Sequence, residues 1–161
     1  MSLPLTALLL TLGSSLPNGL PGSVPLASPP RVSGPGAWVA QKQGGALAPS
    51  LQGKPVVVDI YASWCPACRT IEPTLRSLQQ SKAGKATFVT FDVSDAATLK
   101  ASRERARALG LGAFLEANRS QTSLVAVIDP ATGATAQTFR ASTDASAYSK
   151  AISKVQSMLK R

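Results

Sequence analysis

The chain has 161 residues, enough for one domain plus additional sequence, with 44% apolar and only 5% aromatic residues, so aliphatic side chains must fill any core. Seventeen Lys and Arg against eight Asp and Glu give a formal charge of +9. No basic run is interleaved with the aromatics that base stacking requires, so the charge reads as a solvated basic surface with no nucleic acid as partner. Two cysteines and no histidine exclude a Cys–His protease, a Ser–His–Asp triad and a four-ligand structural zinc site within one chain.

The first fifty residues hold eight of the twelve prolines and no Asp or Glu. Leu3–Leu12 is an apolar run of about ten residues, too short to cross a bilayer as a helix, which takes about 20, but of the length of a signal-peptide core. No Lys or Arg precedes it, and Ala27 is the best candidate for the last residue removed. Residues 1–27 therefore read as a signal peptide or apolar N-terminal segment. Residues 28–49 read as a Pro/Gly/Ser-rich linker that cannot bury enough apolar surface to offset its chain entropy. The expected domain covers 50–161.

Within the domain, Val56–Ile60 is a β-branched run bounded by Gly53 and Pro55, and predicts a buried strand. Ile71, Leu75 and Leu78 recur at helical spacing between Pro66 and Gln80. Phe88–Val93 predicts a second strand and Asp95–Leu109 a second helix, which carries Arg103, Arg105 and Arg107 interrupted by Glu104. Gly110 and Gly112 break that helix, and a short turn bearing Phe114 and Leu115 is expected next. Leu124–Ile128 predicts a third strand, Asp129–Gly133 a turn, and Thr135–Arg140 the returning strand of a hairpin. Thr143 or Asp144 is placed to cap a last helix with Tyr148, Ile152, Val155 and Leu159 on one face. Strand, crossover helix, strand implies a parallel pair, and the closing hairpin adds antiparallel strands. The expected class is α/β, a mixed central sheet with helices on both faces.

Cys65 falls at the junction of the first strong strand and its helix, with Cys68 one turn further along. Two intervening residues close no long loop, so the pair is not a stability staple. A thiol at a helix N-terminus meets unpaired N–H groups and the positive end of the dipole, which favour the thiolate. Cys65 is the expected nucleophile and the more exposed thiol. Cys68 is the expected resolving thiol, enclosed one turn inside. Lys54 and Arg69 either add positive potential near the thiolate or are simple surface charge. The exchange itself needs no cofactor and no metal.

Lys54–Leu78 (KPVVVDIYASWCPACRTIEPTLRSL) resembles the core of the thioredoxin superfamily. Trp64 matches the tryptophan before the first cysteine, Asp59 the carboxylate beneath the cysteines, and Pro73 the proline in the active-site helix. The Tyr-Ala-Ser-Trp-Cys-x-x-Cys wording is similar to exported members, the TlpA-like reductases of periplasm and thylakoid lumen and the soluble domains of transmembrane thiol reductases. The resemblance implies a thioredoxin-like fold and a monomeric thiol–disulfide oxidoreductase. It implies reduction of disulfide-containing protein substrates outside the cytosol, fed by a membrane or soluble thiol reductant; without export the location is cytoplasmic. It also implies that Asp59, if enclosed, relays a proton to or from Cys68; in water it would be an ordinary strand-end carboxylate. The family's cis-proline before the third strand is missing from Ser120–Leu124. Thr122 or Ser123 takes its position, and with Pro66 forms the expected substrate-docking edge. Either this loop is trans, or the register lies elsewhere. The alternative function is a thioredoxin-fold copper or metal chaperone using both thiolates, although no histidine is present and Met1 and Met158 are not placed to assist.

Overall fold

The computed structural model describes residues 41–42 and 45–161. The readings placed on 1–40, including Leu3–Leu12 and Ala27, lie outside the described residues. Five strands form one mixed sheet: β1 (Gln41–Lys42), β2 (Val56–Tyr61), β3 (Thr87–Asp92), β4 (Leu124–Ile128) and β5 (Ala134–Arg140), in the order β1-β5-β4-β2-β3. β2 and β3 are parallel, joined by helix α1 (Pro66–Ser81); β4 is antiparallel to β2, β5 to β4 and β1 to β5. Helices α2 (Ala96–Leu109), α3 (Gly112–Asn118) and α4 (Ala145–Met158) complete the fold. The α/β class and the mixed sheet expected from the sequence are what forms.

Alternation along β2 divides the core. Val56, Val58 and Ile60 pack with Phe91, Ala126, Ala106, Phe114 and Leu115 on the face covered by α2 and α3. Val57 packs with Val125, Ile71, Leu78, Tyr148 and Ile152 under α1 and α4. A strand buried on both faces reads as a continuous apolar run for this reason, and Asp59, at the parity of Val57, interrupts it on the α1/α4 side.

Two expectations change and one alternative is decided. Phe114 and Leu115 lie in a helix, α3, and not in a turn: Leu111, Phe114 and Leu115 recur at i, i+3, i+4 and are all buried. Asp144, of the two candidates, is the cap of α4, its Oδ1 accepting from the N–H groups of Ser146 (2.9 Å) and Ala147 (3.0 Å). The packed fold also takes in residues before 50. Gln41–Lys42 pair with β5, Leu47 is 4% exposed, and its N–H donates to the Pro130 carbonyl at 2.9 Å. The Gln52 side-chain amide donates to the Leu47 and Pro130 carbonyls (2.7 and 2.8 Å), pinning this entry to the turn after β4. Among the described residues no helix is long and apolar enough to cross a membrane.

Candidate active site

β2 ends at Tyr61, and the chain crosses Ala62-Ser63-Trp64 to enter α1 at Cys65. This crossing is tied to the loop after β3. The Ser63 N–H donates to Ser94 Oγ (2.8 Å), and the Trp64 indole N–H donates to the Ser94 carbonyl (3.0 Å). Ser94 in turn donates its N–H (2.8 Å) and its hydroxyl to Asp92 Oδ1. Arg69 reaches back to the Ser63 carbonyl at 3.1 Å. Trp64 is therefore held by its polar edge while 61% of it stays exposed, so it is surface beside the cysteines and not core packing.

Cys65 is the N-cap of α1. Its sulfur accepts the Cys68 N–H at 3.2 Å, taking the place a cap oxygen usually fills. Burial alone would raise this thiol. Hydrogen bonds to the sulfur from the Cys68 side chain, the Thr122 hydroxyl and the N–H groups of Cys68 and Ala67 outweigh burial and hold it below its ordinary value. Cys68 goes the other way. Burial, the hydrogen bond it gives to Cys65 and the charge there push it up to about 11, and its S–H faces the Ile60 carbonyl at 3.9 Å. Both are free thiols. The expected contrast in exposure is absent: Cys65 is 4% exposed and Cys68 2%. Donors around the sulfur, not access, make the two thiols unequal.

Asp59 lies beneath. Its Oδ1 is buried without a hydrogen-bond partner, and loss of hydration raises its carboxyl to about 6. It shares a pocket of about 370 Å³ with Cys68, Tyr61, Glu72, Arg76 and Thr90. At this pocket Arg76 pairs with Glu72 at 2.6 Å, both exposed. Burial, and then the Asp59 charge, push Tyr148 up to about 12, and its hydroxyl donates to the Ser142 carbonyl at 3.0 Å.

No peptide bond among the described residues is cis, so the loop before β4 is trans. Thr122 turns its hydroxyl to Cys65. Ser123, 7% exposed, adopts φ +64°, its N–H donating to the Ile60 carbonyl at 2.9 Å and its carbonyl accepting the Ala141 N–H at 3.1 Å. Pro66, the first residue of α1, is exposed next to Cys65. The structure thus brings Cys65, Cys68, Asp59, Thr122 and Ser123 together, with Trp64 and Pro66 at the rim. Lys54 is not part of it. It precedes β2, and Cys65 follows that strand's other end, about 20 Å away for six residues. Sequence reasoning missed Ser94, Asp92 and the Ile60 carbonyl. The Asp92-Val93-Ser94 spacing after a strand is a turn signal that could have found the first two; a main-chain carbonyl leaves none. Among the described residues no three His, Cys, Asp or Glu side chains cluster closely enough to hold a metal ion.

A paired thiol at the start of the first crossover helix, on a mixed sheet of this order, defines a thioredoxin-like domain. The thioredoxin family model matches residues 46–106, and over that stretch the chain is similar to the thioredoxin superfamily. It is 38% identical over 63 residues to thioredoxin H-type of Chlamydomonas reinhardtii, a match covering 39% of this chain and 52% of that protein. It is 40% identical over 43 residues to the thioredoxin-like protein HCF164, chloroplastic, of Arabidopsis thaliana, covering 27% of this chain and 16% of the relative. In fold it resembles the crystal structure of a thiol:disulfide interchange protein of the thioredoxin family from Chlorobium tepidum TLS, with TM-score 0.50 and 18% identity over 73% of this chain and 97% of that one. The chain spans about half the length of the first of these relatives and a smaller share of the second.

Proposed function

We propose that this protein is a thiol–disulfide oxidoreductase that reduces disulfides of protein substrates outside the cytosol. The observation that carries the reading is a pair of free thiols one helical turn apart, Cys65 at the N-cap of α1 with its sulfur accepting the Cys68 N–H at 3.2 Å and Cys68 enclosed inside the helix; the directions in which the two thiols are shifted, Cys65 down and Cys68 up, agree with it. The Cys65 thiolate attacks one sulfur of a substrate disulfide, and the other sulfur leaves as a thiolate that takes a proton from water. Cys68 then gives its proton to the Asp59 carboxylate and attacks the Cys65 sulfur. The Cys65–Cys68 bond forms, the Cys65–substrate bond breaks, and the second substrate thiol is released. A thiol reductant of membrane or solution returns the pair to the dithiol. Trp64, Pro66 and Thr122 offer substrate a rim of exposed apolar surface and one hydroxyl beside Cys65.

Both thiols come from one chain, so a monomer suffices. The apolar run Leu3–Leu12 and the similarity to a chloroplastic thioredoxin-like protein support a place outside the cytosol, where disulfides persist and reduction needs a dedicated donor.

The test is reduction of insulin disulfides by the full chain in the presence of a dithiol, with trapping variants. Cys68→Ser is expected to accumulate a mixed disulfide on Cys65, and Cys65→Ser to accumulate none. Limiting alkylation of the reduced protein at pH 7 that labels Cys68 in preference to Cys65 would reverse the assignment.

A further inference from the structure

The sheet has two edges, and they are finished differently. β1 covers the outer side of β5. β3 is the other edge, and among the described residues no strand pairs with its outer side. The N–H groups of Thr87, at its start, and Val93, just past its end, donate to the Pro55 and Tyr61 carbonyls at 2.9 and 2.8 Å. The odd-numbered residues of β3 thus turn their main chain toward β2, and Phe88, Thr90 and Asp92 turn theirs outward. Two side chains of α2 meet these outward groups. Ser102 Oγ donates to the Asp92 carbonyl at 2.8 Å, and Arg105 reaches the Thr90 carbonyl at 3.5 Å. Ser102 closes the Asp92 end. The N–H groups of Phe88 and Thr90 and the Phe88 carbonyl stay unpaired among the described residues. Such a row is a template for one more strand.

Charge decides what kind of strand fits. Arg105 is exposed and forms no ion pair among the described residues, so a cation stands over this edge with one long hydrogen bond. The nearby carboxylates do not answer it: Glu72 is held by Arg76 and Asp92 by Ser94, and Asp59 is recessed, with Oδ1 buried. A second copy on the same edge would set Arg105 against Arg105 at a charge of +9 per chain, and residues 1–50 contain no Asp or Glu to meet it. On the α1 side, the pocket of about 370 Å³ opens beside the same residues, lined there by Phe88, Thr90 and Leu75.

We propose that the outer edge of β3 at Phe88–Thr90 is a docking site for an extended acidic segment of a partner protein, which adds as a strand, sets a carboxylate on Arg105 and turns an apolar side chain into the pocket beside α1. Successive side chains of a strand point to opposite faces, so a segment alternating acidic and apolar residues meets both requirements. Main-chain pairing supplies affinity, and the alternating side chains select the partner. The site does not use the thiols, so it stands independently of the oxidoreductase reading.

The probe is a blocked peptide alternating aspartate with valine. A lysine–valine peptide and an aspartate–valine peptide interrupted by proline are the controls. Amide resonances are followed in the full chain and in a full chain with both cysteines replaced by serine. The acidic peptide is expected to shift the Phe88 and Thr90 amides saturably and to slow their exchange with solvent in both chains, and the controls to do neither. Arg105→Glu should bind about fivefold more weakly. Thr90→Pro removes an outward N–H where an edge strand tolerates proline, and should abolish binding while the chain still melts cooperatively; Arg105→Glu carries the test if that variant does not fold. Unmoved Phe88 and Thr90 amides, or an equal response to the lysine–valine peptide, would overturn the proposal. Binding lost in the serine chain overturns it too, by placing the peptide at the thiols. So does slow exchange of these amides in the free chain: slowing that grows with protein concentration gives the edge to a second copy, and slowing independent of concentration gives it to the chain's own residues before 41.

Discussion

Asp59 keeps one carboxylate oxygen away from water and without a partner, and its carboxyl is raised to about 6. An unfolded aspartate ionises near 4, so the folded state binds the proton more tightly. The contribution to stability is therefore fully present below about pH 4 and is lost as pH rises through about 6; two units correspond to about 3 kcal/mol. Asp59→Asn is expected to melt several degrees higher than the parent at pH 8 and within a degree of it at pH 4. The same variant should resolve mixed disulfides more slowly, most visibly near neutral pH. Wild-type resolution from pH 6 to 9 would make Asp59 a bystander. At Thr122, substitution by valine removes the hydroxyl that reaches Cys65. The pH midpoint of Cys65 alkylation should rise and the rate at pH 7 fall several-fold, with Thr122→Ser restoring both. The nucleophile and its partner were legible because their spacing and the strand before them locate a helix start. Thr122 could be placed only as a candidate beside Ser123, since which one faces the sulfur depends on the left-handed turn at 123. Whether Lys54 is site charge or surface charge could not be told from the sequence, because proximity in sequence hides the length of the extended strand between it and Cys65.

Among the elements, the strands and long helices follow from periodicity, and Asp95 and Asp144 cap their helices as short acidic side chains before apolar runs do. What stayed hidden was packed under glycine. Gly110 ends α2 at φ +77°, and a Cβ there would lie 3.3 Å from Leu47 Cα. It lets the chain turn and lets the entering segment approach, and directly after it one more helical turn forms. In sequence the pair Gly110 and Gly112 simply reads as a break. Gly110→Ala is expected to lose about 1–2 kcal/mol from the left-handed backbone alone, and more from the contact with Leu47. Urea unfolding measures the sum, and a loss under about 0.5 kcal/mol would mean that neither the turn nor the approach is tight. β1 escaped because two residues of Gln and Lys carry no strand signal; their pairing comes from the β5 edge beside them.

For the molecule as a whole, composition drew a boundary at residue 50, whereas the packed structure extends before it. Leu47 and Leu51 are each 4% exposed and belong to the core on the α2/α3 face. A chain beginning at Ala46 retains both and should unfold near the temperature of the full protein. A chain beginning at Lys54 loses both, together with the Gln52 clasp, and should be less stable by at least about 4 kcal/mol, since each buried leucine is worth about 2 kcal/mol or more. Equal stability of the two would show that the entering segment adds nothing. The clasp also sets a direction. Leu47 and Gln52 fasten to Pro130, past the end of the sheet where Val56 and Ile128 pair, while Cys65 follows the opposite end of β2. α4 starts close to that opposite end, because Ala141 binds Ser123, and its 14 residues span about 21 Å back along the sheet. The end of α4 thus lies toward one pole of the domain and the reactive sulfur sits at the other. Fixed to a bead through Arg161, the domain holds its chemistry outward toward arriving proteins, so immobilisation should spare its turnover where a graft at the Trp64 rim would block it.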